Sequence, residues 1–372
     1  MLSPAKALRS ALLLTVLPAA ASAQLAVDLN TWADESYPAV SGFGPGVWTV
    51  APDGSSVNQS VNGQPTLFYS DFNVFNTEVE GQITVGGGDD DFVGFVLGYE
   101  PSNVTNPGAE YLLVDWKAGT QGFDFGAPSC TPGANAPAGL AVSRVIGVPT
   151  ADEFWGHTNF DDPVCSDLSN GLEELARGVN LGDTGWSAGT TYTFRFEFDA
   201  TSLKVFVDGV LELDISGSFS NGRMGFYNFS QANVTYNAFT LDCSAQQEIY
   251  GNGWAGTLGV PALTASANPV LGTTIQINVG NAYGADTIAC ILVSGQAADD
   301  PTDFGGALLV GLPEDYALSV HPLSPGGDTL IYNIPDDITL CGVDFFAQLI
   351  HEDPAATHGI AFSRGLRLTH GL

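Results

Sequence analysis

Apolar and polar positions alternate with a period of two along most of this chain. In "TYTFRFEFD", Tyr192, Phe194, Phe196 and Phe198 fall on one face and Thr193, Arg195 and Glu197 on the other, the pattern of a half-buried β-strand. Next, "SLKVFVDGVLELDIS" sets Asp208-Gly209 between two alternating runs, a strong short-range hairpin signal. "GRMGFYNFSQANVTYNAFTLDC" predicts two more strands with a polar turn at Ser230–Asn233. One stretch, "SNGLEELARG" (169–178), predicts a helix of two turns at most. Around "SAQQEIYGNGWAG" (244–256) polar and glycine residues break the strand rhythm, and a linker is expected there. Beyond it "TTIQINV", "TIACILV", "ALLVG", "TLIYNI", "VDFFAQLI" and "GLRLT" predict further short strands. The pattern therefore predicts an all-β chain: a β-sandwich over 27–243, the linker, and a second, smaller β-sandwich over 257–372. Each is long enough to bury a core.

Composition supports this picture and adds a compartment. Forty-five glycines and 21 prolines among 372 residues favour turns over long helices. The amino terminus carries Lys6 and Arg9, an apolar run from Ala11 to Leu17, and the small residues Ala21-Ser22-Ala23; residues 1–23 are expected to be a secretory signal peptide. Nothing downstream reaches the run of about 20 apolar residues that a spanning helix needs. A secreted or cell-surface protein is expected. Its formal net charge is −31, from ten basic and 41 acidic residues. That charge argues against nucleic acid and anionic membranes as partners and favours divalent cations.

Cysteine spacing points to disulfides. Cys130, Cys165, Cys243, Cys290 and Cys341 form no CxxC and no cluster with histidine, so zinc is not expected and an exported chain would keep its disulfides. Pairing within domains predicts Cys130–Cys165 and Cys290–Cys341. Cys243 is left over, as a buried thiol or a link to another chain.

The main candidate chemistry lies in "TVGGGDDDFVGFVLGYEP" (84–101). Asp89, Asp90 and Asp91 stand side by side after three glycines and before an apolar run. Adjacent carboxylates repel unless water or a cation absorbs their charge. Calcium takes six to eight oxygens, carboxylates and backbone carbonyls among them, which a glycine-flanked loop can supply; a solvated loop is the plainer alternative. Asp71, Glu78 and Glu80 are expected to complete the ligand set. The aromatic residues Trp116, Trp155 and Trp186 fit core packing better than a sugar-stacking surface. "HEDP" (351–354) fits a turn better than a metal site.

Several blocks carry a resemblance. "EGQITVGGGDDDFVGFVLGY", "YLLVDWK" (111–117), "WGHT" (155–158), Gly185-Trp186 and "GRMGFYNFSQANVTYNAFTLDC" (222–243) occur in the order and spacing of the thrombospondin C-terminal domain, and residues of about 30–243 resemble that family. The resemblance implies an L-type-lectin-like, concanavalin-type jelly-roll sandwich and a calcium-binding adhesion or matrix protein that is not an enzyme, with an extracellular protein or glycan as partner. Asp89–Asp91 match the family's acidic segment. Cys243 matches a family cysteine that pairs upstream of the sandwich, yet no cysteine precedes Cys130 here. The lectin-like sandwich also serves carbohydrate-binding proteins and glycoside hydrolases, which flank the scissile bond with two carboxylates. Laminarinase-like members carry Glu-x-Asp-x-x-Glu on one strand, whereas "EFDATS" has Glu197 and Asp199 but Ser202 at the last position, which argues against hydrolysis. The remaining carboxy-terminal stretch resembles a β module of exported planctomycete-type bacterial proteins.

Overall fold

A computed structural model of the chain describes residues 24–39, 42–126, 133–158, 171–313 and 316–372. The expected signal segment, Cys130 and Cys165 lie outside the described residues. Two antiparallel sheets form the first sandwich. One has eight strands, with the path Val210–Ser216, Ser202–Val207, Thr191–Phe198, Thr77–Val85, Val234–Asp242, Ser56–Gln59 and Trp48–Val50, and Leu25–Ala26 beside Val234–Asp242. The other has seven, in the order Gly171–Arg177, Gly139–Ile146, Glu110–Lys117, Phe92–Tyr99, Arg223–Phe229, Thr66–Asn73 and Ala33–Ser36. The all-β jelly-roll arrangement expected from the sequence is what the chain forms, and a smaller β-sandwich follows it.

Aromatic side chains fill the space between the sheets. Phe194, Phe196 and Phe198 face inward from the alternating strand, Phe95 meets Phe196 at 4.8 Å, and Phe226 stacks on Tyr236 at 4.3 Å. Such offset and edge contacts add to the burial of large apolar surface. The seven-stranded sheet is covered on its other face as well, by Phe154 and Trp155 over Phe92, Tyr227 and Phe229. Burial on both faces explains why "FVGFVLGY" is continuously apolar instead of alternating; every residue of that strand is buried. Trp116 turns into the inter-sheet core while Asp115 and Lys117 take the opposite face.

Two local expectations change. Residues Gly171–Arg177 form an edge strand paired with Gly139–Ile146; pairing along the sheet overrides the helix propensity of Glu-Glu-Leu-Ala, as tertiary context does for short segments. Among the described residues the α-helix is Ala151–Gly156, opened by a capping box in which Thr150 and Glu153 exchange side-chain and backbone hydrogen bonds. That Thr-x-x-Glu spacing stands in the sequence and marks a helix start. Asp208-Gly209 does form the hairpin, both residues lying at positive φ, as a two-residue turn requires.

The expected linker holds a strand. Gln246–Tyr250 pairs with Gly365–Thr369 in a six-stranded sheet that continues through Asp344–Glu352, Thr287–Ser294 and Ala317–Leu323, with Ile360–Phe362 on Asp344–Glu352. A three-stranded sheet of Leu263–Ala265, Thr274–Val279 and Asp328–Asn333 faces it. Leu349, Leu366 and Ile291 lie between the two.

The disulfide expectation for Cys290–Cys341 is corrected. Cys341 bonds Cys243, with Cα atoms 5.6 Å apart and a sequence separation of 98; Cys290 is a free, half-buried thiol. The reason is docking of the second sandwich against the end of the first. Gly342 approaches Phe75 so closely that a Cβ there would meet the Phe75 carbonyl at 2.1 Å, Asn76 donates to the Gly342 carbonyl at 3.0 Å, and both bonded cysteines join the first sandwich's core. Cys290 instead sits on Thr287–Ser294 between Val320 and Ile350.

Candidate functional site

The acidic triplet occupies the turn that carries the chain from the Thr77–Val85 strand of one sheet to the Phe92–Tyr99 strand of the other. Gly87 and Gly88 take φ values of 90° and 108°, a region that side chains disfavour and glycine accepts. Carboxylate oxygens of Asp89, Asp90 and Asp91 lie within 4.8 Å of one another. The three residues differ in burial: Asp89 is exposed, Asp90 half-buried and Asp91 buried.

Lys117 supplies the partner that sequence reasoning missed. Its ammonium, fully buried, pairs with Asp91 Oδ1, donates to the Asp90 carbonyl at 3.2 Å and to Gln121 Oε1 at 3.3 Å, and lies 4.4 Å from the Trp155 ring centroid. Asp90 Oδ1 stands 3.8 Å from the same nitrogen. Burying an ammonium is costly unless it is paired and hydrogen-bonded, and this one has both. Burial pushes the Asp91 carboxyl above its ordinary value against the opposing pull of Lys117. The loop backbone is pinned too: Ala118 and Gly119 donate to the Asp90 carbonyl at 3.1 and 3.3 Å, Trp186 Nε1 donates to the Asp91 carbonyl at 3.0 Å, and Asp91 N–H donates to Gln231 Oε1 at 3.2 Å. Gly119 lies close under the Asp90 carboxylate: a Cβ there would meet Asp90 Oδ2 at 2.1 Å and displace that side chain.

Asp89 and Asp90 are the less committed carboxylates. Asp89 Oδ2 accepts from Asn62 Nδ2 at 2.6 Å and Asp89 Oδ1 from the Asp90 N–H at 3.1 Å. An all-oxygen donor set beside a glycine turn fits a hard cation such as calcium.

The expected helper residues are not brought to this place. Glu78 and Glu80 sit near the start of Thr77–Val85, whose far end leads into the loop; five residues of strand, about 17 Å, separate Glu80 from Val85. Arg195 holds Glu78 at 2.7 Å and also pairs with Glu197. Asp71 lies toward the Arg223 end of its pairing with Arg223–Phe229, whereas Phe229 at the other end pairs with Phe92 next to the triplet. Register between strands, which the sequence does not give, keeps these acids away from the triplet.

Neither carboxylate of the hydrolase comparison is free for chemistry. Glu197 pairs with Arg195 and lies 3.7 Å from Lys204. Asp199 accepts from Thr201 N–H, Thr201 Oγ1 and Ser202 N–H at 2.7–2.9 Å, the bonding of a turn residue. Trp116, Trp155 and Trp186 are all buried and offer no stacking surface. In "HEDP", Asp353 accepts from the backbone of Thr257, Ala355 and Ala356, again as a turn.

A second charged cluster lies on the same sheet face. His157 bonds Asp115 Oδ2 at 2.9 Å and Glu174 Oε2 at 3.1 Å, and Arg177 Nη2 bonds Glu174 at 2.7 Å. Burial alone would lower the imidazole, but Asp115 and Glu174 outweigh it and raise it to about 9. Glu174 is pulled down to about 2 by His157 and Arg177 against the upward push of burial. Because the folded value of His157 exceeds the unfolded one near 6.5, its contribution to stability is complete below about pH 6.5 and is lost as pH rises through about 9. Urea unfolding at pH 6 and at pH 9.5 should therefore differ by on the order of 3 kcal/mol in the wild type, and His157→Gln should flatten that difference. An unchanged pH dependence in His157→Gln would contradict this assignment.

The comparisons with known proteins agree with the first sandwich. The family model described as the Thrombospondin C-terminal region matches residues 45–245. Thrombospondin-3b of Danio rerio and Thrombospondin-3 of Mus musculus are each 26% identical over 208 residues, covering 53% of this chain and 21% and 20% of those proteins respectively. The chain thus matches about a fifth of the length of these curated relatives. Among solved structures, the carbohydrate binding module CBM66 from Bacillus subtilis is similar over 57% of this chain and 94% of that one, at 12% identity and a TM-score of 0.36. On the strength of the family match, the chain belongs to the thrombospondin C-terminal region family.

Proposed function

We propose that this protein is a calcium-binding adhesion or matrix-type module, secreted or held at the cell surface, without catalytic activity. The observation that carries the reading is the meeting of three carboxylates within 4.8 Å on a pinned glycine turn at the sandwich edge, where Lys117 offsets one charge and Asp89 and Asp90 keep the other two. Asp90, half-buried, and Asp89, exposed, would hold the ion, with Asp91 contributing its second oxygen; Asp71, Glu78 and Glu80 stay out of the proposed shell. A bound calcium would supply positive charge and fix the loop. Lys117, Asn62 and Gln231 hold the loop in place for it. The family match supports a matrix or adhesion role, and the Cys243–Cys341 disulfide is consistent with an oxidising compartment. No helix among the described residues is long and apolar enough to cross a membrane. The occupied states of Glu197 and Asp199 support the absence of hydrolysis. The carbohydrate-binding alternative keeps the same fold but finds no exposed aromatic platform among the three tryptophans named above.

Thermal unfolding in calcium against a chelator tests the metal reading. At 100 times the dissociation constant, a ligand specific to the folded state adds about 2.7 kcal/mol, so the wild type should melt several degrees higher in calcium and Asp90→Asn should not. A melting temperature indifferent to calcium removes the claim.

A further inference from the structure

The carboxy-terminal sandwich is open along one side. Its edge strands there are Ala317–Leu323 in the six-stranded sheet and Asp328–Asn333 in the three-stranded sheet, and among the described residues each pairs on one side only. The register Val293–Ala317, Ile291–Ser319 and Ala289–His321 turns Ala317, Ser319 and His321 toward the interior, where small or polar side chains cannot cover the apolar residues behind them. Ile277, Val293, Leu330, Tyr332, Phe345 and Ala347 are consequently only half-buried. They line a hollow of about 350 Å³. A second hollow of about 550 Å³ shares Ile291, His321 and Leu330 with it and runs on to Asp286 and Asp328, so the two form one cleft between two strand edges. Leu318, Val320 and Ile331, on those edges, are 55, 57 and 61% exposed.

Uncovered edges and an uncovered core in one place are the conditions for strand addition. Each edge presents unpaired N–H and C=O groups, and alternate side chains of an added strand can fill the hollow while its backbone extends the sheet. The edge segment "YALSVHPL" (316–323) contains no lysine, glutamate or aspartate; of the devices that blunt edges, only Pro322 is present. No lysine or arginine lines either hollow, and Asp286 and Asp328 mark one end. We propose that this cleft accepts a single extended strand from a partner protein, with aliphatic side chains at alternate positions and a basic residue at the end near Asp286 and Asp328. A second copy is the weaker fit, because a chain of net charge −31 repels its own kind. The proposal is independent of calcium at Asp89–Asp91.

Hydrogen exchange of the full chain, in chelator so that the loop plays no part, tests it with the peptide Lys-Val-Thr-Val-Thr-Val-Thr, blocked at both ends. Those amides of 317–323 and 328–333 that point to the open edges and do not bond the neighbouring strand should exchange quickly in the free protein and about tenfold more slowly with millimolar peptide. Ser319→Trp, which fills the cleft from the inward face, should abolish the protection and leave exchange in the first sandwich unchanged; Ala317→Leu serves the same purpose should the tryptophan variant not fold. Asp286→Lys should weaken binding by up to about fivefold. The proposal is overturned by the absence of protection, by equal protection in both cleft-filling variants, or by equal protection from a peptide with proline at alternate positions. Sedimentation showing a dimer whose 317–323 and 328–333 amides are already protected would overturn it in favour of a second copy, and binding indifferent to Asp286→Lys would overturn the basic end.

Discussion

Replacing Lys117 with methionine is expected to cost about 3–5 kcal/mol, the usual penalty for leaving a buried partner charge uncompensated. Lys117 is 0% exposed and Asp91 3%, so water cannot take over when the ammonium is gone. The loss should be read from guanidinium unfolding. The double change Lys117→Met with Asp91→Leu should recover much of it, because removing both charges also removes their desolvation cost. A cost below about 1 kcal/mol for Lys117→Met alone would place the pair among ordinary surface salt bridges and would deprive the loop of its proposed anchor. Since the Asp90 carbonyl also accepts from Lys117, the single variant should lose calcium response together with stability, whereas Asp90→Asn should lose the response and keep the stability.

Removal of the Cys243–Cys341 bond, by Cys243→Ala with Cys341→Ala, should lower stability by about 4–5 kcal/mol on chain-entropy grounds for a separation of 98 residues. The bond joins the last strand of the first sandwich to a segment of the second, so the effect should concentrate there. Protease sensitivity should rise around Gly342, where Asn76 donates across, before the first sandwich opens. Wild-type protein under reducing conditions should behave like the double variant. If reduction leaves both unfolding and cleavage unaltered, packing around Phe75 and Gly342 holds the two together without the bond.

Residues wetted on one face were legible from sequence. Thr191–Phe198 alternates because its polar side faces solvent, and the Asp-Gly turn after Ser202–Val207 is local chemistry that a few residues determine. What stayed illegible was anything set by register between strands. Lys117 lies 26 residues from Asp91, and only the pairing of Phe92 with Lys117 on adjacent strands brings them together. Glu78 and Glu80 were expected to complete the ligand set at the acidic turn, but they stand at the far end of the strand that leads into it. The Cys290–Cys341 pairing failed for a related reason: membership of one domain suggested Cys290 for Cys341, while docking of one sandwich on the other chose Cys243. Gly171–Arg177 shows the limit of propensity, since good helix formers became an edge strand once Gly139–Ile146 offered hydrogen bonds. The helix that does occur had announced itself in Thr150 and Glu153, a two-residue signal at the correct spacing.

Calorimetric titration of calcium into the chelator-stripped full chain, beside Asp90→Asn, addresses the central claim most directly. Saturable heat in the wild type that disappears in Asp90→Asn is the expected result; no heat in the wild type, or the same heat in both proteins, would contradict an ion at Asp89–Asp91.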